Sequence, residues 1–431
     1  MYREIITKLT EWKESPSRKP LVLRGARQVG KTWILKEFGA KYYENCAYIN
    51  LELHPELKDV FTLDYDVERI VDYLEVASEQ KITKGTALII LDEVQAIPAA
   101  LTSLKYFQET APDYHIAVAG SLLGLALHTG TSFPVGKVNF LDLYPMTFLE
   151  FLMAVGKGSY AELIQRGDYE ALAPFHAQLR ELLKVFFVTG GMPEVISNYL
   201  AEGNLLRVRD VQADILAAYD QDFSKHAPVN VTPRIREVFD VIPNELAREN
   251  KKFIFKMIRS SARAKDYDAA LLWLEDVGLA TRVMRTNAAK IPLSAYVDRD
   301  AFKLFMVDVG LLAAKANLPI NTILNGDLLF EEFKGALAEQ FVFQELKAAR
   351  GESPYYYSTD SSKGEIDFII QDKDDKILPI EVKSGQNLSA ASLKAFLRKN
   401  TSIEKAVKLS LQPYKENEQV INMPLYLAGM L

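Results

Sequence analysis

The chain opens on an amphipathic, charged helical pattern, "MYREIITKLTEWKESPSRKP". Short, unbroken apolar runs follow: "LVL" at 21–23, Leu88 to Leu91, and the start of "HIAVAGSLLG" at 115–124. Runs of this length and continuity predict strands buried on both faces, the mark of a parallel sheet. A helical stretch, "WILKEF", follows the first of them. Strands of this kind with helices between them predict an α/β core.

From Thr232 the pattern changes. "TPRIREVFDVIPNELARE" places Thr232 and Pro233 at an N-cap and first turn, followed by apolar positions at helical spacing. "KKFIFKMIRSSARAK" reads as a second helix and "DYDAALLWLEDVGLATRVM" as a third, with Leu271, Leu272, Leu274 and Val277 as its apolar stripe. Gly278 ends that helix and "LATRVM" begins a strand; "PLSAYVD" and "FKLFMVDVGLLAA" come after a polar stretch. Three helices and then a β wing predict a winged-helix unit. Residues 333–349 form another amphipathic helix, with Leu337, Phe341, Val342 and Leu346 on its apolar side and Glu339 close to that side. "SPYYYSTD" reads as a strand, and "IDFIIQ" and "KILPIEVKS" as a hairpin across the polar turn "DKDD".

Composition narrows the classes. A chain of 431 residues, 48% hydrophobic and 25% charged, predicts two or three domains, each with its own core. Its single cysteine, Cys46, excludes a disulfide framework and a cysteine-built zinc site. That fits a reducing cytoplasm. Five scattered histidines argue against a histidine metal site. The N-terminal helix lacks an apolar signal core, and no apolar window is long enough for a membrane span. The expected localisation is cytoplasmic, with no membrane partner. The formal net charge of −6 excludes a protein that coats nucleic acid over its whole surface. Residues 248–265 are a local exception: Arg248, Lys251, Lys252, Lys256, Arg259, Arg263 and Lys265 face one acid, Glu249. The stretch reads either as a contact for a phosphate backbone, DNA above all, or as a solvated helix face and loop.

The first candidate chemistry follows "LVL". Gly25, Ala26, Arg27, Gln28, Val29, Gly30, Lys31 and Thr32 fit G-x-x-x-x-G-K-[ST], between a strand and a helix. Backbone N–H groups of such a loop cradle phosphates, and the helix N-terminus adds positive potential. Lys31 is expected at the β- and γ-phosphates, and the Thr32 hydroxyl at Mg²⁺. The buried strand 88–91 ends in Asp92 and Glu93, where ligands of such sheets sit. Asp92 is placed to hold Mg²⁺ through water and Glu93 to polarise the attacking water. This pair favours hydrolysis of ATP over transfer to a small acceptor.

At the other end of the chain, period-two geometry puts Glu381 and Lys383 on one strand face and Ile380 and Val382 on the other. Hairpin register can bring Asp367 alongside Glu381. Unpaired buried charge is costly, so such a cluster is solvent-lined, mutually paired or metal-filled.

"GARQVGKT", "LDEVQ", "AGSLLG", "LDLYPMTFLEFL" (141–152) and "TGGMPEV" (189–195), in this order, resemble the bacterial and archaeal AAA-type (AAA+) ATPases that carry a C-terminal domain of unknown function. The resemblance implies a P-loop NTPase core to about residue 140, a helical segment to about 225, and ATP with Mg²⁺ as cofactors. In ATPases of this type a polar residue at the tip of the 115–119 strand senses the γ-phosphate. Ser121 is the candidate, and a simple turn is the other reading. Gly190, Gly191 and Pro193 read as backbone punctuation. No arginine finger is identifiable among Arg180, Arg207, Arg209, Arg234 and Arg236, so the oligomeric state stays open.

The tail resembles the restriction-endonuclease-like PD-(D/E)XK superfamily, without the usual proline before the first acid. The resemblance implies that Asp367, Glu381 and the Val382 carbonyl bind Mg²⁺, with Glu339 adding a carboxylate. Lys383 would then stabilise hydroxide or phosphate. A salt-bridge ladder, or a degenerate nuclease fold kept as a binding platform, is the alternative. The expected division is a core with helical segment over 1–225, a winged helix over 226–318 and a nuclease-like α/β domain over 319–431. The expected function is an ATPase whose nucleotide state controls a DNA-related tail. The rival is an ATP-driven switch or scaffold for a protein partner, its tail inactive. A small-molecule kinase is a third reading, disfavoured by Glu93.

Overall fold

The computed structural model describes residues 1–120, 134, 136–248, 252–325, 331–359, 364–372, 374–384 and 390–431. Ser121 and Lys251 lie outside the described residues. The chain divides into two compact units. One comprises Tyr2–Tyr144 with Asp276–Gly278, the other Pro145–Glu275 with Leu279–Leu431.

The first unit is α/β. Its strands are β1 (Leu21–Arg24), β2 (Asn45–Asn50), β3 (Ala87–Asp92), β4 (His115–Ala119) and β5 (Asn139–Asp142). They form one sheet in the order β2-β3-β4-β1-β5, and every pairing is parallel. β3 and β4 are buried along their whole lengths, as continuous apolar runs covered on both faces must be. Val22, Ile49, Ile89, Leu91 and Val118 pack with Ile70, Leu74, Leu101, Leu104 and Phe107 of two flanking helices in one core. Because all strands run one way, the loop after β1 and the end of β3 emerge from the same edge.

The second unit begins with helices and ends in a sheet. In "PMTFLEFL", Thr147 and Glu150 close a reciprocal cap on the helix Phe148–Ala154. Gly190, at φ 66°, leaves no room for a side chain: a Cβ there would lie 2.0 Å from Asp308 Oδ1. One on Gly191 would lie 2.1 Å from the Met146 carbonyl oxygen. "TGGMPEV" is therefore a crossing point of backbones.

Among the described residues the sheet of this unit has seven strands: β6 (Ala280–Thr286), β7 (Val297–Met306), β8 (Tyr355–Tyr357), β9 (Ile366–Gln371), β10 (Ile377–Lys383), β11 (Ala406–Ser410) and β12 (Val420–Pro424). Their order is β12-β11-β10-β9-β8-β6-β7. β6 and β7 pair antiparallel, but β6 also pairs in parallel with β8. One sheet thus runs through both the 226–318 and the 319–431 segments.

The middle helix expected at "KKFIFKMIRSSARAK" does not form. Its first half holds one 3₁₀ turn, Phe255–Met257, before the helix Ala264–Asp276 begins. The Phe253 N–H donates to the Phe302 carbonyl at 2.8 Å, and the two rings stack 5.3 Å apart. Packing against β7 overrides a weak helical preference.

Candidate nucleotide site and a buried charge cluster

The loop after β1 needs its glycines. Gly25 has φ 147°, and a Cβ on it would lie 2.2 Å from the Leu143 carbonyl oxygen. Gly30, at φ 95°, is left-handed and leads directly into the helix Lys31–Tyr42. The Lys31 ammonium folds over the loop and donates to the carbonyls of Gly25 and Ala26, both at 2.8 Å. Burial pulls Lys31 down to about 8, against the upward pull of Glu93 and Asp92.

Thr32 and Asp92, sixty residues apart, meet: Thr32 Oγ1 donates to Asp92 Oδ2 at 2.6 Å. Tyr48 adds a hydroxyl donor to the same oxygen at 3.1 Å, and the Glu93 N–H donates to Asp92 Oδ1 at 3.0 Å. Asp92 is buried. Glu93 sits in a left-handed turn at φ 50°, and Gln95 Nε2 donates to its Oε2 at 2.5 Å. Magnesium in phosphate sites takes one or two protein oxygens plus phosphates and water. The Thr32–Asp92 pair is a donor set of that kind, so these residues fit the ion. Sequence reasoning missed two supports. Arg3 donates to the carbonyls of Val29 at 2.9 Å and Tyr144 at 2.6 Å, bracing the loop from below. Tyr48 is the other. Its only signal was its place on the strand beside β3.

The tail hairpin has the anticipated register. Ile380 pairs with Phe368, which sets Asp367 opposite Glu381 one step further on. Asp367 Oδ2 accepts from the Val382 N–H at 2.7 Å. Lys383 Nζ lies 2.8 Å from Glu381 Oε1. Glu339, on the helix Glu331–Arg350, and Glu381 are both buried. Beside Glu339 stands a residue the sequence did not mark: Lys303 of β7, 1% exposed. Its ammonium is 2.6 Å from Glu365 Oε1, 3.6 Å from Glu339 Oε2 and 3.9 Å from Asp367 Oδ1. Burial pulls Lys303 down, but Glu339, Glu365 and Asp367 outweigh it and hold the group above its ordinary value. Among the described residues no three His, Cys, Asp or Glu side chains are gathered to hold a metal ion. Two of the acids expected to hold Mg²⁺, Glu339 and Asp367, face the Lys303 ammonium in this arrangement. The one signal for Lys303 was a lone lysine inside the apolar run "AFKLFM".

Of the basic stretch, Lys256, Arg259, Arg263 and Lys265 are exposed, Lys252 is half-buried, and Arg248 lies 3.5 Å from the buried Glu245. The arginine-finger candidates are mostly engaged locally. Arg209 binds Gln212 and the Gly310 and Leu318 carbonyls, Arg207 pairs with Glu202 and Asp210, and Arg236 with Asp220. No helix among the described residues is long and apolar enough to cross a membrane.

Three family models match the chain: residues 17–152 match an AAA domain, 180–321 a domain of unknown function (DUF8612), and 334–427 another (DUF4143). No curated relative matches. Among solved structures, the Walker-type ATPase PABY2304 of Pyrococcus abyssi is 16% identical, with a TM-score of 0.47, covering 73% of this chain and 95% of its own. The ORC2 protein of Aeropyrum pernix, in its ADPNP–ADP complexes, is 14% identical at a TM-score of 0.36, covering 76% and 90%. The Aeropyrum pernix ORC1 protein in complex with DNA is 11% identical at 0.27, covering 75% and 92%.

Proposed function

We propose that this chain binds ATP with Mg²⁺ at the loop 25–32 and hydrolyses it, and that the bound nucleotide controls the second unit in a DNA-related task. The observation that carries the ATPase reading is the 2.6 Å meeting of Thr32 Oγ1 with Asp92 Oδ2 at the mouth of a phosphate-binding loop. The match of residues 17–152 to an AAA domain supports it. Magnesium, when bound, supplies charge neutralisation at the β- and γ-phosphates. Thr32 and Asp92 are the residues that would hold it. Lys31 leaves the carbonyls of its own loop to meet phosphate oxygens, a better partner for an ammonium. Glu93 accepts a hydrogen bond from the attacking water, with Gln95 fixing the carboxylate. Ser121 remains the proposed γ-phosphate sensor.

Steady-state ATP turnover tests this. Mg²⁺-dependent hydrolysis should fall at least ~100-fold in Lys31→Ala and in Glu93→Gln, with Glu93→Gln still binding nucleotide. A wild-type chain that binds no ATP sinks the reading. Binding without turnover leaves the second reading, an ATP-driven switch or scaffold for a protein partner with a catalytically inactive tail. Lys303, seated among the tail carboxylates, favours that second reading for the tail. For DNA, the exposed Lys256, Arg259, Arg263 and Lys265 make the proposed contact, together with Arg248, Lys251 and Lys252.

A further inference from the structure

We infer that Lys303 is the resident cation of the tail's carboxylate cluster: its ammonium takes the place that a nuclease-like centre would give to a divalent metal. This deepens the reading of a tail without cleavage. Its test reads metal occupancy rather than cutting, so the two can fail separately.

The distances carry the argument. An ammonium approaches a carboxylate oxygen at about 2.7–2.9 Å, whereas Mg²⁺ sits near 2.0–2.1 Å. The Lys303 ammonium makes one tight approach, 2.6 Å to Glu365, and two looser ones, 3.6 Å to Glu339 and 3.9 Å to Asp367. Those two are residues a metal would use. A dication drawn to the same oxygens would sit against a buried positive charge in a medium that screens poorly. The side chain cannot swing into water, because it is 1% exposed and its ammonium lies 5.0 Å from the centre of the Tyr356 ring.

Charge balance gives the second observation. Glu339, Glu365 and Asp367 share the Lys303 ammonium, while Glu381 pairs with Lys383 and has Lys408 opposite it on β11. Glu381 is 3% exposed, and its buried Oε2 has no hydrogen bond among the described residues. Without Lys303 three carboxylates lose their shared counter-charge, and the vacancy suits an oxygen-seeking cation. The same lysine is carried by β7, so its ion pairs also tie that strand to Glu365 and to Asp367 of β9.

Manganese soaks of crystals of the full chain read the site directly through anomalous scattering. Wild type should show no peak among Glu339, Glu365, Asp367 and Glu381, and Lys303→Met should show one. In solution, millimolar Mn²⁺ should raise the melting temperature of Lys303→Met by about 3 °C or more, and Asp367→Asn added to that variant should abolish the rise. A wild-type peak overturns the inference. So does a Lys303→Met chain that gains no manganese and melts like wild type. If Lys303→Met does not fold, the charge-matched Lys303→Met/Glu365→Gln chain decides. Its folding supports a counter-ion role, and its failure to recover any stability overturns it.

Discussion

Lys31 shows how much a single buried charge can reveal and how little of that lies in the sequence. The motif marks it as a phosphate ligand, but its resting partners are two carbonyls of its own loop. Burial sets its pKa at about 8, well below the 10.5 of an exposed lysine. The charged form attracts phosphate, so the productive state is lost as pH rises through about 8. kcat/KM for ATP reports the free enzyme, and it should fall above that pH with Mg²⁺ held saturating. A profile that stays flat to about pH 9.5 would show that Lys31 keeps its proton, and this account of its environment would be wrong. Arg3 makes the opposite point. It braces the loop through backbone carbonyls, contacts for which no residue spacing gives a signal.

At the scale of elements, the apolar pattern served well, both as continuous runs buried on two faces and as a one-sided stripe. It placed β1, β3, β4, the β9–β10 hairpin and the apolar side of the helix Glu331–Arg350. It says nothing of that helix's other polar positions, and Gln340, Gln344 and Glu345 are buried too. Gln340 exchanges two hydrogen bonds with the backbone of Met306, at 2.9 and 2.7 Å, and Gln344 accepts from the Val309 N–H. Long-range polar pairing of this kind leaves no periodic trace. Asp308 is the sharpest case. It caps the helix Val309–Lys315 through Leu311, and it accepts from the Gly191 N–H at 2.6 Å. Burial raises it from 3.8 to about 6, although the amides of Gly191, Leu311 and Gly310 all pull it down. The folded state therefore holds this proton more tightly than the unfolded state. The resulting stability is full below the unfolded pKa and is lost as pH rises through about 6. Relative to Asp308→Asn, wild type should lose about 2 kcal/mol between roughly pH 4 and pH 7.5. Denaturant melts of both chains across that range measure it; parallel curves would refute the shift.

For the whole molecule, what the sequence conceals is the non-local pairing. β9 and β10 are joined by a short turn, so their partnership is legible. β6 and β8 pair through Arg285–Tyr356 and Thr286–Tyr357, some seventy residues apart, and nothing in either stretch names the other. That pairing changes which pieces can stand alone. A fragment of residues 319–431 keeps β8 to β12 but strips β6 from one edge of β8, leaving backbone donors and acceptors without partners. It also removes Lys303 from Glu339, Glu365 and Asp367, and uncovering a buried charge in this way costs about 3–5 kcal/mol. That loss is comparable to the entire stability of a small domain. The fragment should therefore show no cooperative thermal transition and a collapsed amide proton spectrum. Residues 145–431, which retain the complete sheet and its lysine, should melt in one cooperative step. A sharply melting 319–431 fragment with well-dispersed amides would mean that β6, β7 and the buried Lys303 ammonium are dispensable to the strands they join.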